Sequence, residues 1–153
     1  MEKGVTLVLP YPVSANRYWR TYQPKGHRVP VTVVSREAKK YKLTVQKMAL
    51  EAGIGSPVEG RIAVSYTLYP RRPKDWFKRM TRDPLHWDDS VQCIDLDNAQ
   101  KVLFDAMKGV VFVDDDRVFR IVGERVAPDE FGARVEVMVR GRDVDAKATT
   151  VCR

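Results

Sequence analysis

Cysteine and histidine are scarce, with two of each among 153 residues. Cys93 and Cys152 lie far apart, form no C-x-x-C pair and have no histidine at metal-ligand spacing. Neither a disulfide framework nor a zinc site is therefore indicated, and a reducing compartment fits best. Nothing in the sequence places His27 or His86 beside the aspartates of residues 95–116, which disfavours chemistry built on a histidine general base. Long apolar runs are missing as well. No stretch approaches the roughly 20 apolar residues that a membrane span needs, and Met1 to Val5 leads straight into an alternating segment rather than a targeting sequence. The expectation is a soluble, unprocessed cytoplasmic protein, of a size that suits one domain with a real core.

What is abundant is positive charge. Lys plus Arg number 27 against 20 Asp plus Glu, a formal net charge of +7, which favours a polyanionic partner. The distribution says more than the total. Residues 1–93 carry 17 basic and 8 acidic groups, whereas residues 94–116 carry 2 and 6. An acidic island inside a basic chain suits work on a phosphate backbone, because Lys and Arg hold the backbone while carboxylates gather cations. Chance clustering in a solvated loop is the plainer reading, so charge alone carries little weight.

Along the chain, Val5, Leu7 and Leu9 predict a short strand ending at Pro10. Five prolines and glycines between Pro10 and Pro30 predict a loop, within which Asn16-Arg17-Tyr18-Trp19-Arg20 interleaves bases with aromatics. Those groups suit nucleic acid, although aromatics in such a loop more often anchor it to the core. Ser35 is placed to cap a helix of about 17 residues that closes at Gly53. Ile62, Val64, Tyr66 and Leu68 alternate with smaller or polar residues as a half-buried strand that Pro70 ends.

Residues 70–93 hold no period for long. Arg71, Arg72, Lys78 and Arg79 mingle with Trp76, Phe77 and Trp87, which reads as an inserted arm that either contacts DNA or pins itself to the core. Ala99, Val102, Leu103, Ala106 and Met107 then recur at helical spacing, predicting a helix from about Asn98 to Lys108 with Gly109 closing it. Asp97, three residues before Gln100, reads as the N-cap of a capping box. Asp95, two residues earlier in extended chain, projects from the same side as Asp97. Val110 to Val113 suits a buried strand, Asp114-Asp115-Asp116 a solvated turn, and Val118 to Val122 and Val135 to Val139 two further strands. Residues 141–153 lack apolar periodicity and read as a flexible tail behind a 1–140 domain. The order of elements predicts an α+β fold, a single mixed sheet flanked by helices with the arm inserted.

Singly these signals are weak, but together Asp95-Leu96-Asp97-Asn98-Ala99-Gln100-Lys101, Phe104-Asp105-Ala106, and Asp114-Asp115 with Val118 beyond resemble the RusA family of Holliday junction resolvases. Leu9-Pro10-Tyr11-Pro12 and Asn16 to Arg20 look like that family's opening. The resemblance implies a homodimeric endodeoxyribonuclease that nicks four-way DNA symmetrically in recombination and repair, in a bacterial or phage-infected cell. It implies that Asp95, Asp97 and Asp115 bind a divalent metal, Mg²⁺ above all, and that Lys101 assists them. Alignment on Val118 selects Asp115 as the third acid, whereas counting from Asp105 permits Asp116. Asn16, Arg17, Arg20, Arg71, Arg72, Lys78, Arg79 and Asn98 are the candidate DNA contacts. A flap or fork nuclease, and a protein that binds branched DNA without cutting it, are the alternatives.

Overall fold

The computed structural model describes residues 4–142. Strand β1 (Gly4–Pro10) is followed by a four-residue helix α1 (Ala15–Tyr18), the hairpin strands β2 (Trp19–Tyr22) and β3 (Val31–Val34), and the long helix α2 (Arg36–Glu51). Strand β4 (Ile62–Tyr69), short helix α3 (Trp76–Arg82), helix α4 (Leu96–Met107), strand β5 (Val118–Arg125) and strand β6 (Arg134–Gly141) complete it. The main sheet runs in the order β1-β6-β4-β5. β6 pairs antiparallel with β1 and β4, whereas β5 lies parallel to β4. A parallel pair needs a long crossover, and the stretch holding α3 and α4 provides it.

Alternation decides which side of the sheet is covered. Ile62, Val64, Tyr66 and Leu68 are buried with Val135, Val137, Val139, Leu7 and Leu9, and they meet Ala38, Val45 and Ala49 of α2 and Val102, Leu103 and Met107 of α4 in one core. The opposite face carries Val8 and Met138, both exposed. The fold is the expected α+β arrangement, a mixed sheet with helices. Ser35 caps α2 as expected, its hydroxyl accepting a hydrogen bond from the Ala38 amide at 3.1 Å.

Four local expectations are corrected. The Pro-rich stretch after β1 is not all loop: it holds α1 and a two-stranded sheet, whose strands of four residues are too short for alternation to be read past the turn signals. Residues 110–113 form no strand. Gly109, at φ +79°, turns the chain back onto α4, where the Val110 and Val111 amides both donate to the Met107 carbonyl. Val111 and Phe112 still fill the core, so burial without extension produced the apolar run. The arm is partly ordered, as α3 and a 3-10 turn at Trp87–Ser90. Finally, β6 reaches Gly141, inside the expected tail; residues 143–153 of that tail lie outside the described residues.

Candidate active site

Helix α4 organises the site. It begins two residues earlier than the apolar spacing suggests, at Leu96, so Asp95 occupies the N-cap position and Asp97 the first turn. This corrects the capping-box assignment of Asp97. The Asp95 side chain makes no capping hydrogen bond, which leaves its carboxylate exposed beside amides and a helix dipole that favour negative charge. Lys101 follows Asp97 by four residues, about 6 Å along the axis at the helical rise.

Two tyrosines hold this helix entrance. The Tyr66 hydroxyl, from β4, contacts the Leu96 carbonyl at 3.2 Å and the Gln100 Oε1 at 3.0 Å. Burial raises its pKa and the nearby Asp97 raises it further, so the phenol stays protonated and donates. Tyr11 accepts a hydrogen bond from the Ile94 amide at 2.7 Å and donates to Cys93 Sγ at 3.6 Å, with its pKa pushed up to about 12, first by burial. The residue before Asp95 is thereby tied to the chain just after β1. Neither tyrosine was singled out from the sequence as part of the site, since nothing in a lone tyrosine signals a contact more than 30 positions away.

Two depressions flank the helix. An open groove of about 1270 Å³ is lined by Asn16, Arg17, Arg71, Arg72, Lys74, Arg79, Asn98 and Asp95. Six of the eight candidate DNA contacts therefore share one surface. Arg20, exposed on β2 with its guanidinium 6.0 Å from the Tyr22 ring, and Lys78, exposed on α3, do not line it. A smaller cavity of about 460 Å³ is lined by Gln100, Lys101, Asp105 and Asp115 against Tyr18, Trp19, Phe104 and Ile121. Asp105 was not among the expected site residues, although its place four positions after Lys101 on the polar face was a usable signal. Its pKa is raised, first by burial and then by Asp115.

The acid triplet is sorted by its partners. Asp114 meets Lys108 at 3.0 Å and accepts from the Asp115 amide at 2.7 Å, and both interactions hold its pKa below the usual range. Asp116 lies 3.5 Å from Arg117. Of the three, Asp115 is the one that lines the Lys101 cavity. Asp95 and Asp115 thus border different depressions, and among the described residues no three Asp, Glu, His or Cys side chains are gathered closely enough to hold a metal ion. The donor chemistry nevertheless fits a hard divalent cation, because magnesium commonly takes only one or two carboxylates and completes its shell with water and substrate phosphate. Asp95, Asp97 and Asp115 are exposed oxygen donors without an ion-pair partner among the described residues.

A basic groove that takes in Asp95 at the entrance of α4, with exposed Asp97 and Lys101 further along the helix, fits the class of a nuclease of α+β fold. The family model for endodeoxyribonuclease RusA matches residues 10–140, and the chain belongs to that family. It is an endodeoxyribonuclease, a hydrolase acting on DNA; the family supports a role on Holliday junctions, and its members generally need a divalent metal. No match was found among curated proteins. Among the described residues, no helix is long and apolar enough to cross a membrane.

Proposed function

We propose that the protein is a magnesium-dependent resolvase that acts as a homodimer in the cytoplasm and cuts four-way DNA junctions by two symmetric nicks, one per subunit, in recombination and repair. The observation that carries this reading is the pairing of a basic groove with exposed acids at one helix entrance, in a chain whose family match spans residues 10–140.

The arginines of the groove would hold the backbone, with Asn16 and Asn98 available for sugar or base hydrogen bonds. Asp95, Asp97 and Asp115 are the carboxylates offered to the cation, with one or two of them binding it directly; when bound it would polarise a phosphodiester and lower the pKa of water. Lys101, which lines the smaller cavity with Asp115, would neutralise charge developing on phosphoryl oxygens. Tyr11 and Tyr66 keep Asp95 and Asp97 in place, so the acids need not reorganise when DNA arrives. A four-way junction has approximate two-fold symmetry, and a C2 dimer matches it with one site per arm pair.

The test is cleavage of labelled four-way, forked and plain duplex DNA with and without magnesium. Paired nicks confined to the four-way substrate and dependent on the metal are expected. Preferential cutting of forks or flaps would replace the junction reading with a fork nuclease, and binding without cutting would reduce the acids to caps and turns.

A further inference from the structure

We propose that the outer edge of β5 is the surface on which two copies of this chain pair, strand against antiparallel strand about a two-fold axis at Val122, so that the two sheets become one. This deepens the homodimer reading above and rests on it.

β5 ends the sheet order β1-β6-β4-β5, and no described residue pairs with its outer side. It is eight residues long and exposed from Phe119 to Arg125, with Phe119, Ile121 and Val122 each more than 40% exposed. The other edge strand, β1, ends in Pro10 and buries Leu7 and Leu9. A long exposed edge without proline, carrying Phe119, Ile121 and Val122 among its charges, is a template for another strand, and natural proteins cover such an edge when they do not break it.

The sequence of β5 is complementary to itself in one register. With Val122 opposite Val122 of the partner subunit, Arg120 falls opposite Glu124 of the partner subunit and Glu124 opposite Arg120 of the partner subunit. Ile121 then faces Gly123 of the partner subunit. Directly opposed residues share a face, so the cross-strand pairs are two opposite-charge pairs, two of Ile121 with glycine, two of Phe119 with arginine, and the central Val122 pair. An isologous contact demands this reciprocity, residue i against j and j against i. Neither Arg120 nor Glu124 has an ion-pair partner within the chain among the described residues. The pairing also joins the two sites, because Ile121 of β5 lines the cavity that holds Lys101 and Asp115.

The experiment is a charge exchange read by sedimentation equilibrium of the full chain. Wild type should be a dimer. Glu124→Arg sets arginine against arginine twice and should weaken dimerisation by about tenfold or more, since opposed like charges are strongly selected against at an interface. Combining Arg120→Glu with Glu124→Arg should restore it. In a separate variant lacking Cys93 and Cys152, Val122→Cys should cross-link to its own copy on oxidation, while Arg120→Cys should not. A dimer that ignores Glu124→Arg, or a double variant that stays dissociated, would overturn the β5 interface and leave the paired-site reading standing. A monomeric wild type would overturn both.

Discussion

The groove and the cavity on the two sides of α4 are built from different chemistry. The groove is wide and open, lined by Arg17, Arg71, Arg72, Lys74 and Arg79 together with Asp95. The cavity is about a third of its volume, walled by Tyr18, Trp19, Phe104 and Ile121, and sets Lys101 against Asp105 and Asp115. Arg17, Arg71 and Lys74 of the groove are exposed, so their pull on a phosphate backbone is long-ranged and screened by salt, whereas the cavity sets Lys101 with two carboxylates beside apolar walls. If the proposed roles hold, binding rests mainly on the groove and cutting on acids that reach both depressions, Asp95 in the groove and Asp115 in the cavity, and substitutions should tell the two roles apart.

The largest separation is expected at Asp97. Asp97→Asn keeps the size of the side chain and the basic groove, so junction binding should stay within about twofold. Cleavage should fall about a thousandfold, because several kcal/mol of metal-assisted charge stabilisation disappears at 1.4 kcal/mol per decade. Gel-shift and single-turnover assays read the two effects independently, and comparable nicking by the variant would return Asp97 to a purely structural place in the first turn. Asp95→Asn and Asp115→Asn should follow Asp97→Asn, while Asp116→Asn, beside Arg117, should remain active. Dimers of one wild-type and one Asp97→Asn chain sharpen the comparison further. They should nick a cruciform plasmid once, giving relaxed circles without linear product.

Next in size is the joint that ties the helix entrance to the sheet. A Cβ at Gly123 would lie 2.5 Å from the Tyr66 ring and hydroxyl, so Gly123→Ala must displace the ring whose hydroxyl touches Leu96 and Gln100. A loss of about 1–3 kcal/mol in chemical denaturation is expected, as for other overpacked sites. The groove should respond to salt instead. Arg79 is tied to Asp75 at 2.9 Å and to the Ser90 carbonyl at 3.1 Å, and Arg72 stacks on Trp76 at 4.2 Å. Lys78 lies outside the groove and Arg79 is held by Asp75, whereas Arg72 keeps its charge on Trp76. Replacing Arg71, Arg72, Lys78 and Arg79 by Ala should therefore lower the salt slope of binding by about two rather than four, at about one unit for each phosphate left without its cation. Unchanged binding with reduced thermal stability would make the arm an anchor alone.

How much of this was readable in the sequence follows from the range of each interaction. β4 and α2 were legible because their patterns repeat over eight and sixteen residues and end at Pro70 and Gly53. Helix α4 was legible from Ala99 onward, but Leu96 and Asp97 precede the repeating positions, so its start was misplaced. Val110 to Val113 misled because an apolar run reports burial, and burial is reached here by a turn. The acids and Lys101 were legible through the resemblance that their motif bears to the RusA family. Their distribution over two depressions was not, since it depends on β5 lying beside β4 and on Tyr11 and Tyr66 reaching across the fold. Exposure of Ile121 and Val122 was equally hidden, because an edge strand and a central one share the same alternation.

The smallest effect expected from the comparison concerns Asp105, the acid that the cavity holds without an evident share in binding. Burial, then Asp115, raises its pKa above the ordinary carboxylate value; Lys42, 3.8 Å away, offsets little because both side chains are about 40% exposed. A group whose folded pKa exceeds its unfolded one is penalised when ionised, so the penalty is complete above the folded value. It fades as pH falls through that value and is gone below the ordinary one. Asp105→Asn should then raise the melting temperature at pH 7 by on the order of 1 °C, the shift that a few tenths of a kcal/mol produces. At pH 3 the wild type is itself largely protonated there, and the advantage should vanish. Calorimetry at the two pH values decides it. A variant less stable at pH 7 would mean that the Lys42 ion pair outweighs burial, and an advantage equal at both values would trace the effect to packing rather than charge.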